Sequence, residues 1–339
     1  MGGPVALEVT PCPLCGATAF TTRGRVRDLA LGIPGEFHLA TCDGCGLLYQ
    51  NPRVRTDQLA LIYPEGYGPH SRDPELSGTL RRRGRAARWV LATQLGYPHV
   101  RVDDVRPVDR LIAQWYRQRM HQEFPPWTGQ GRLLDVGCAT GRFMRQMSEI
   151  GWRVAGIEFD TEAAAKARRV TPDVFVGDPV DAEFPAGAFD VVTAFHVIEH
   201  LPQPLETLRR MLTWLAPGGL VIVEVPNAGG AGGRLFGRYW SGLDFPRHLV
   251  HFTPASMGAM VAKAGGRVIE ARHRSKPRYL TRSLHNTLAD RSGPVAAAGL
   301  AAMDSRIGRG VLKLGLEMAM PMARVLRIGE VVRYSIVPA

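Results

Sequence analysis

Arg132-Leu133-Leu134-Asp135-Val136-Gly137-Cys138-Ala139-Thr140-Gly141-Arg142 is the stretch from which the rest of the chain can be read. An apolar run ends in a glycine-spaced turn, and Phe143, Met147 and Ile150 follow at helical spacing, so strand, tight turn and helix come in that order. Gly137 and Gly141 permit backbone angles and a close approach that a side chain would block. The helix behind them presents unpaired amides and its positive end. This predicts a nucleotide cradle. A dinucleotide fingerprint would want glycines at the first, third and sixth positions, which here are Gly137, Ala139 and Arg142. Arg142 replaces the glycine that allows close packing of helix on strand, so a pyrophosphate ligand is disfavoured.

Working outward, Val154-Ala155-Gly156-Ile157-Glu158 reads as a second strand, ending 21 residues past Gly137 in an acid that can accept hydrogen bonds from both hydroxyls of a ribose. Asp160 is placed to cap the helix that follows. A third strand, Asp173 to Val176, runs into Gly177-Asp178, and Asp178 by itself is equally an ordinary turn aspartate. Phe189 to Phe195 is nearly all apolar, as a central parallel strand covered by helices should be. Leu205, Leu208, Leu212 and Leu215 mark an amphipathic helix, and Pro217-Gly218-Gly219 turns the chain into a fifth strand, Leu220 to Asn227. Thr253 caps a helix that opens with Pro254, Phe252 can staple against Met257, Gly265 ends the helix, and Arg267 to Arg274 is strand six.

The cradle, the acid one strand on, Asp178 and the Leu-x-Pro-Gly-Gly turn resemble, in order and spacing from about Leu133 to Arg267, the landmarks of class I S-adenosylmethionine-dependent methyltransferases. Ala139 stands where that family usually has glycine. The resemblance implies an α/β, Rossmann-like seven-stranded methyltransferase sheet whose last, antiparallel strand is supplied by Glu330 to Pro338. It implies S-adenosylmethionine as cofactor, held by Asp135, Gly137, Cys138, Ala139, Gly141, Glu158, Asp178, Phe195 and His196, with Asp178 beside the adenine amino group. Cys138 is expected to be a small packed residue rather than a nucleophile. Residues 277–327 are then a helical insertion before the last strand, with Leu300 to Met303 and Val311 to Met318 able to form core, cap the substrate cleft, make a dimer face or lie on a membrane surface.

Four of the five cysteines form two Cys-x-x-Cys-Gly knuckles, Cys12/Cys15 and Cys42/Cys45, with 26 residues between them. Each knuckle points two thiolates at one metal, and four sulfurs without an open position predict structural, tetrahedral Zn2+. A redox pair is the alternative. The knuckles together with Asn51-Pro52 resemble the zinc-binding N-terminal module of some bacterial methyltransferases, sugar-modifying members among them. The expected domains are a ribbon at 1–53, a helical cofactor-covering segment at 54–130 with helices at Arg85 to Leu95 and Val108 to Glu123, and the methyltransferase domain at 131–339. In the covering segment Tyr63 and Tyr67 are candidates for the substrate wall.

The 339 residues carry a net charge of +11, almost all from arginine, with a 45% hydrophobic and 22% charged composition that excludes a disordered or membrane-embedded class. Arg81-Arg82-Arg83-Gly84-Arg85 is the one local basic run. Residues 1–10 lack the pattern of a secretory signal, and a cytoplasmic location is expected.

An alcohol acceptor needs a base as well as in-line placement. Imidazoles follow strand four at His196 and His200 and strand five at His248 and His251. The His248 loop resembles that of sugar methyltransferases in which a histidine meets the substrate hydroxyl, although Arg247 stands where those relatives carry an acid. His248 is therefore the first candidate base, His200 the second, and His251 a structural residue. His196, Glu199 and His200 also resemble the metal-binding Glu-x-x-Glu-His of quinone-ring and small-RNA methyltransferases, and their spacing would place all three on one helix face. The expected partner is a small-molecule acceptor, a sugar or lipid-linked glycan included, with a homodimer open. RNA methylation through the ribbon and basic surface, or a non-catalytic nucleic-acid-binding role, are the alternatives. The Asp/Asn-Pro-Pro-Tyr motif of base-amino methylation is absent after strand four.

Overall fold

Two glycine-closed turns start the fold. In each knuckle the glycine amide returns to the first cysteine's carbonyl at 2.9 Å, with Gly16 at φ 83° and Gly46 at φ 73°. The ribbon's strands are β1 (Leu7–Glu8), β2 (Phe20–Val26), β3 (Phe37–Cys42), β4 (Leu48–Gln50) and β5 (Arg53–Val54), with β1 paired to β5 and β2, β3 and β4 in an antiparallel sheet. The computed structural model describes residues 5–64, 84–100, 106–291, 293–305 and 325–339, with a few single positions between. Tyr67, Arg81 to Arg83 and nearly all of the segment 311–318 fall outside these ranges.

The central sheet is built from β6 (Arg132–Val136), β7 (Arg153–Glu158), β8 (Val174–Val176), β9 (Phe189–Phe195), β10 (Leu215–Pro226), β12 (Gly266–Arg274) and β13 (Val331–Pro338), while β11 (Val250–His251) lies elsewhere. Its order is β12-β13-β10-β9-β6-β7-β8. Neighbours from β10 through β8 pair in parallel, and β13 is antiparallel to both β10 and β12. The chain winds outward from β6 in one direction and from β9 in the other, so β6 and β9 flank the point where open α/β sheets leave a crevice at their carboxyl ends. Seven strands with an antiparallel last member are what the sequence pattern implied.

Successive residues of the middle strands enter two cores. Leu134, Val136, Val192, Ala194, Val221 and Val223 pack on one face with Leu208 and Met211 of the Pro204–Thr213 helix and Met257, Met260 and Val261 of the Pro254–Lys263 helix. Leu133, Val191 and Ile222 face the other way, against Val90 and Leu91 of the Gly84–Gln94 helix, Met120 of the Pro107–Glu123 helix, and Met144 and Met147. Each Val, Leu, Ile or Met side chain among them contributes about 1.5–3 kcal/mol by leaving water. Leu215 departs from expectation: it starts β10 instead of ending the helix. It pairs with Phe189, and Pro217-Gly218-Gly219 is an irregularity within the strand, with Gly218 at φ 76°.

The ribbon is not a bead on a string. β11 pairs antiparallel with β4, making a four-stranded sheet β11-β4-β3-β2, and the Gln50 amide donates to the Leu249 carbonyl at 2.8 Å. Leu47 and Tyr49 are buried in the same core as Leu134. In the insertion, helices form at Pro277–Ala289 and Pro294–Asp304. No described helix is long and apolar enough to cross a membrane.

Candidate active site

At the carboxyl end of β6 the chain turns through Gly137 (φ 69°), Ala139 (φ 48°) and Gly141 (φ 82°) into the Arg142–Ser148 helix. Gly137 has no room for a side chain, because a Cβ there would lie 2.4 Å from Cγ2 of Val197. Ala139 adopts a conformation that is at ease for glycine and costs an ordinary residue about 1–2 kcal/mol. Glu158, at the end of β7, holds it: its carboxylate accepts the amides of Ala139 at 2.8 Å and Asp160 at 2.9 Å. A cleft of about 350 Å³ opens over this turn, lined by Asp135, Gly137, Cys138, Ala139, Thr140, Arg142, Phe143, Gln146 and Phe195. Thr140, Arg142, Phe143 and Gln146 were not among the expected cofactor residues, since only the turn's closure brings them to one wall.

Of the two acids at these strand ends, Asp135 lines the cleft, whereas Glu158 does not and turns its carboxylate to the Ala139 and Asp160 amides. Asp135 is buried, and burial pushes its carboxyl up to about 7; the charge of Glu158 adds to this and the hydrogen bond from the Thr193 hydroxyl at 2.7 Å opposes it. The native carboxyl therefore keeps its proton to about pH 7 whereas an unfolded one releases it near 3.8, so ligand-free stability falls as pH rises between those values. Asp135→Asn is expected to raise stability by up to about 4 kcal/mol at pH 8 and to make almost no difference at pH 4, as read from urea unfolding. Equal effects at both pH values would refute the assignment.

Of the other expected cofactor residues, Asp178 caps the short helix Pro179–Asp181 by accepting the Val180 amide at 3.0 Å, and neither it nor His196 lines the cleft. His196 has φ 58° and precedes a single 3-10 turn, Ile198–His200, so it does not share a helix face with Glu199 and His200. Its Nδ1 lies 3.3 Å from Glu199, and its Nε2 lies 2.8 Å from Lys276 Nζ and 3.4 Å from Glu224.

His248 takes the place expected for His196. Its ring meets that of His200 edge-on at 4.5 Å, and ligand-capable atoms of Glu199, His200 and His248 lie within 4.8 Å of one another. His248 Nδ1 donates to the Gly242 carbonyl at 2.9 Å, so in the neutral ring Nε2 is the acceptor nitrogen; it lies 3.8 Å from Asp244 and 4.0 Å from Glu199. His200 Nδ1 is 3.0 Å from both the Arg247 carbonyl and the Tyr63 hydroxyl. Burial lowers His200 to about 4, and the neighbouring His248 pushes the same way, so it stays neutral at neutral pH. Tyr63 reaches the site from the covering segment and packs on Phe159 at 5.5 Å. His251 is fully enclosed beside Phe245, as a structural residue would be. Among the described residues, three of the four non-glycine residues with positive φ are Ala139, His196 and Asp244, all at this site; such strain persists where surrounding structure enforces it.

Arg247 is explained by the ribbon. Its guanidinium pairs bidentately with Asp28, at 2.9 Å twice, and also with Asp244 at 2.8 and 3.2 Å. Arg247 and Asp28 are 1% and 0% exposed at the side chain. The loop carrying His248 is thus pinned to the ribbon by a buried ion pair that no local pattern in the sequence announces.

The four knuckle sulfurs converge as well, with Cys12 and Cys45 at 3.6 Å and Cys15 and Cys42 at 3.4 Å. These are too long for disulfides and near the roughly 3.8 Å edge of a tetrahedron with Zn–S of about 2.3 Å. The donor set and spacing fit the ion.

Residues 108–271 match the profile of a family described as a methyltransferase domain. This segment is a methyltransferase domain. A ubiquinone biosynthesis O-methyltransferase from Caulobacter is 36% identical over 104 residues, which is 28% of this chain and 41% of that protein. One from Colwellia psychrerythraea is 32% identical over 103 residues, 28% of this chain and 42% of that protein. The chain thus spans about two fifths of the length of these curated relatives. A protein of Mycolicibacterium smegmatis designated an S-adenosylmethionine-dependent methyltransferase is 25% identical over 212 residues, covering 60% of this chain and 72% of its own. Among solved structures, a Mesorhizobium loti S-adenosylmethionine-dependent methyltransferase overlaps 65% of this chain and 96% of its own at 16% identity, with a TM-score of 0.43. The methyltransferase domain places its cradle at the β6/β9 switch point and its histidines one loop away.

Proposed function

We propose that this protein transfers the methyl group of S-adenosylmethionine to a hydroxyl of a small biosynthetic intermediate, a sugar being the first choice. It does so in the reducing cytoplasm, where four thiolates keep Zn2+ rather than pair as disulfides. Residues 1–53 serve as the ribbon, 54–130 as the cover and 131–339 as the methyltransferase domain. The bound donor supplies an electrophilic methyl. The acceptor oxygen attacks that carbon as the carbon–sulfur bond breaks, and the hydroxyl proton passes to His248 Nε2. One observation carries the reading: His248 is held in the required tautomer by the Gly242 carbonyl, next to the Glu199–His200 turn whose Val197 packs on Gly137 of the cradle. The names of the quinone-pathway relatives support oxygen as the methylated atom.

The test uses labelled S-adenosylmethionine with a panel of hydroxylated acceptors. His248→Gln is expected to cut transfer by about 10²–10⁴-fold and to leave binding of S-adenosylhomocysteine within about twofold. Transfer at the wild-type rate removes His248 as base. A second reading has its own observation: Glu199 Oε2 is buried without a hydrogen-bond partner among the described residues, and Glu199 lies within reach of His200 and His248. These three residues would hold a divalent cation, which would lower the pKa of the acceptor hydroxyl. A rate that rises on adding Mg2+ or Mn2+ to enzyme retaining only its ribbon zinc favours that reading, and an indifferent rate favours the unaided base.

A further inference from the structure

Beside the cleft three cations meet one acid. Glu224, near the end of β10 and 3% exposed, accepts hydrogen bonds from Lys276 at 2.8 Å, Arg333 at 2.9 Å and Arg274. One carboxylate neutralises one of these charges, so two remain, and no second acid is bonded to the three cations among the described residues. Arg333 spends only Nε and Arg274 only Nη1 on Glu224, which leaves guanidinium donors on both. The side chains of Arg274, Lys276 and Arg333 are still 18%, 24% and 10% exposed, so the unspent charge is reachable. Burying like charges together is unfavourable without a counter-ion.

The cluster shares a wall with the donor cleft. Arg333 lies over the ring of Phe195 at 4.5 Å, Phe195 lines the cleft, and Glu224 is the register partner of Phe195 on the adjacent strand. Lys276 also reaches His196. All of these groups sit at the sheet edge where an acceptor must stand to reach a methyl group held over Gly137. We propose that Arg274, Lys276 and Arg333 bind a phosphate group carried by the acceptor, so that the substrate is a phosphorylated or nucleotide-linked small molecule. Two uncompensated charges match a phosphate dianion or a diphosphate, and the free guanidinium donors suit its oxygens. This rests on the methyl-transfer reading for the position of the donor, and names the acceptor's class.

The experiment titrates the full-length protein, with S-adenosylhomocysteine present, with inorganic pyrophosphate by calorimetry; S-adenosylhomocysteine binding is measured separately. Pyrophosphate is expected to bind the wild type and to bind Lys276→Ala and Arg274→Ala at least about tenfold more weakly, with Lys276→Arg close to wild type and S-adenosylhomocysteine affinity unchanged in all of them. Absence of pyrophosphate binding by the wild type overturns the proposal, as does binding that the alanine variants leave intact. Stronger binding of malonate than of pyrophosphate would assign the site to carboxylates and overturn it too. Weakened S-adenosylhomocysteine binding in the variants would assign the cluster to the donor. Failure of the wild type to bind S-adenosylhomocysteine at all would instead strike the methyl-transfer reading.

Discussion

Treatment with a chelator, or a Cys12→Ser substitution, is expected to unfold the ribbon and lower methyl transfer with it, by at least about 100-fold, because the ribbon carries one end of the Asp28–Arg247 contact that holds the loop bearing His248. Structural zinc contributes about 10–16 kcal/mol of apparent binding energy to small domains, comparable to or above the whole stability of a typical fold, and the ribbon's buried apolar residues share their cores with the rest of the chain, Val26, Phe37 and Val54 with Trp240, Leu243 and Phe245. Cys12, Leu14, Leu47 and Tyr49 are buried, but largely against the central domain. Loss should spread along β4 into β11, since Val250 pairs with Tyr49 and Gln50 donates to Leu249. Hydrogen exchange checks this: the amides of Tyr49, Gln50 and Val250 should lose protection while those of Leu134, Val192 and Val221 keep theirs. Metal analysis should give one zinc per chain before treatment. Full protection and full activity in metal-free protein would end the structural role assigned to the cysteines.

Arg247→Met should destabilise the protein by about 3–5 kcal/mol, the scale of removing one partner from a buried ion pair. Burial alone would push Asp28 up; the hydrogen bonds and charge of Arg247 hold it below the usual carboxylate value, so the pair contributes stability at neutral pH that is lost in acid as Asp28 protonates. Without Arg247 the Asp28 carboxylate keeps, among the described residues, only the backbone amides of Ala30, Leu31 and Ile33. Asp28→Asn with Arg247→Met should recover part of the loss, because the fully buried Asp28 charge is then gone and only Asp244, whose side chain is 21% exposed, is left without Arg247. Denaturant unfolding of the two single variants and the double variant gives the coupling. Additive losses would mean that the two side chains do not act as a pair. Arg247→Lys should fall between, since an ammonium cannot make two parallel contacts to each carboxylate.

Much of the fold was legible from the chain because its signals are local. The apolar run of β9, the glycines of the cradle, the Thr253 cap and the acid ending β7 each follow from neighbours a few residues away, and the seven-stranded sheet places them as the pattern implied. The boundary at Leu215 was misread because a helix stripe and a strand start share one leucine, and only pairing with Phe189 decides between them.

The site was legible in part. Sequence spacing grouped His196 with Glu199 and His200, but a 3-10 turn and a positive φ swing His196 toward Lys276 and Glu224, and His248 arrives from 48 residues downstream of His200 to take its place. Arg247 looked like a departure from the relatives' acid until its partner Asp28, 219 residues earlier, came into view. By itself the sequence determined the parts that depend on backbone conformation and apolar period: the strand-turn-helix cradle, the order of strands and the two thiolate knuckles. The tertiary structure alone decided which distant charges face one another, because pairing between Asp28 and Arg247, or between Glu224 and three cations, depends on how strands remote in the chain come together at the same edge of the sheet.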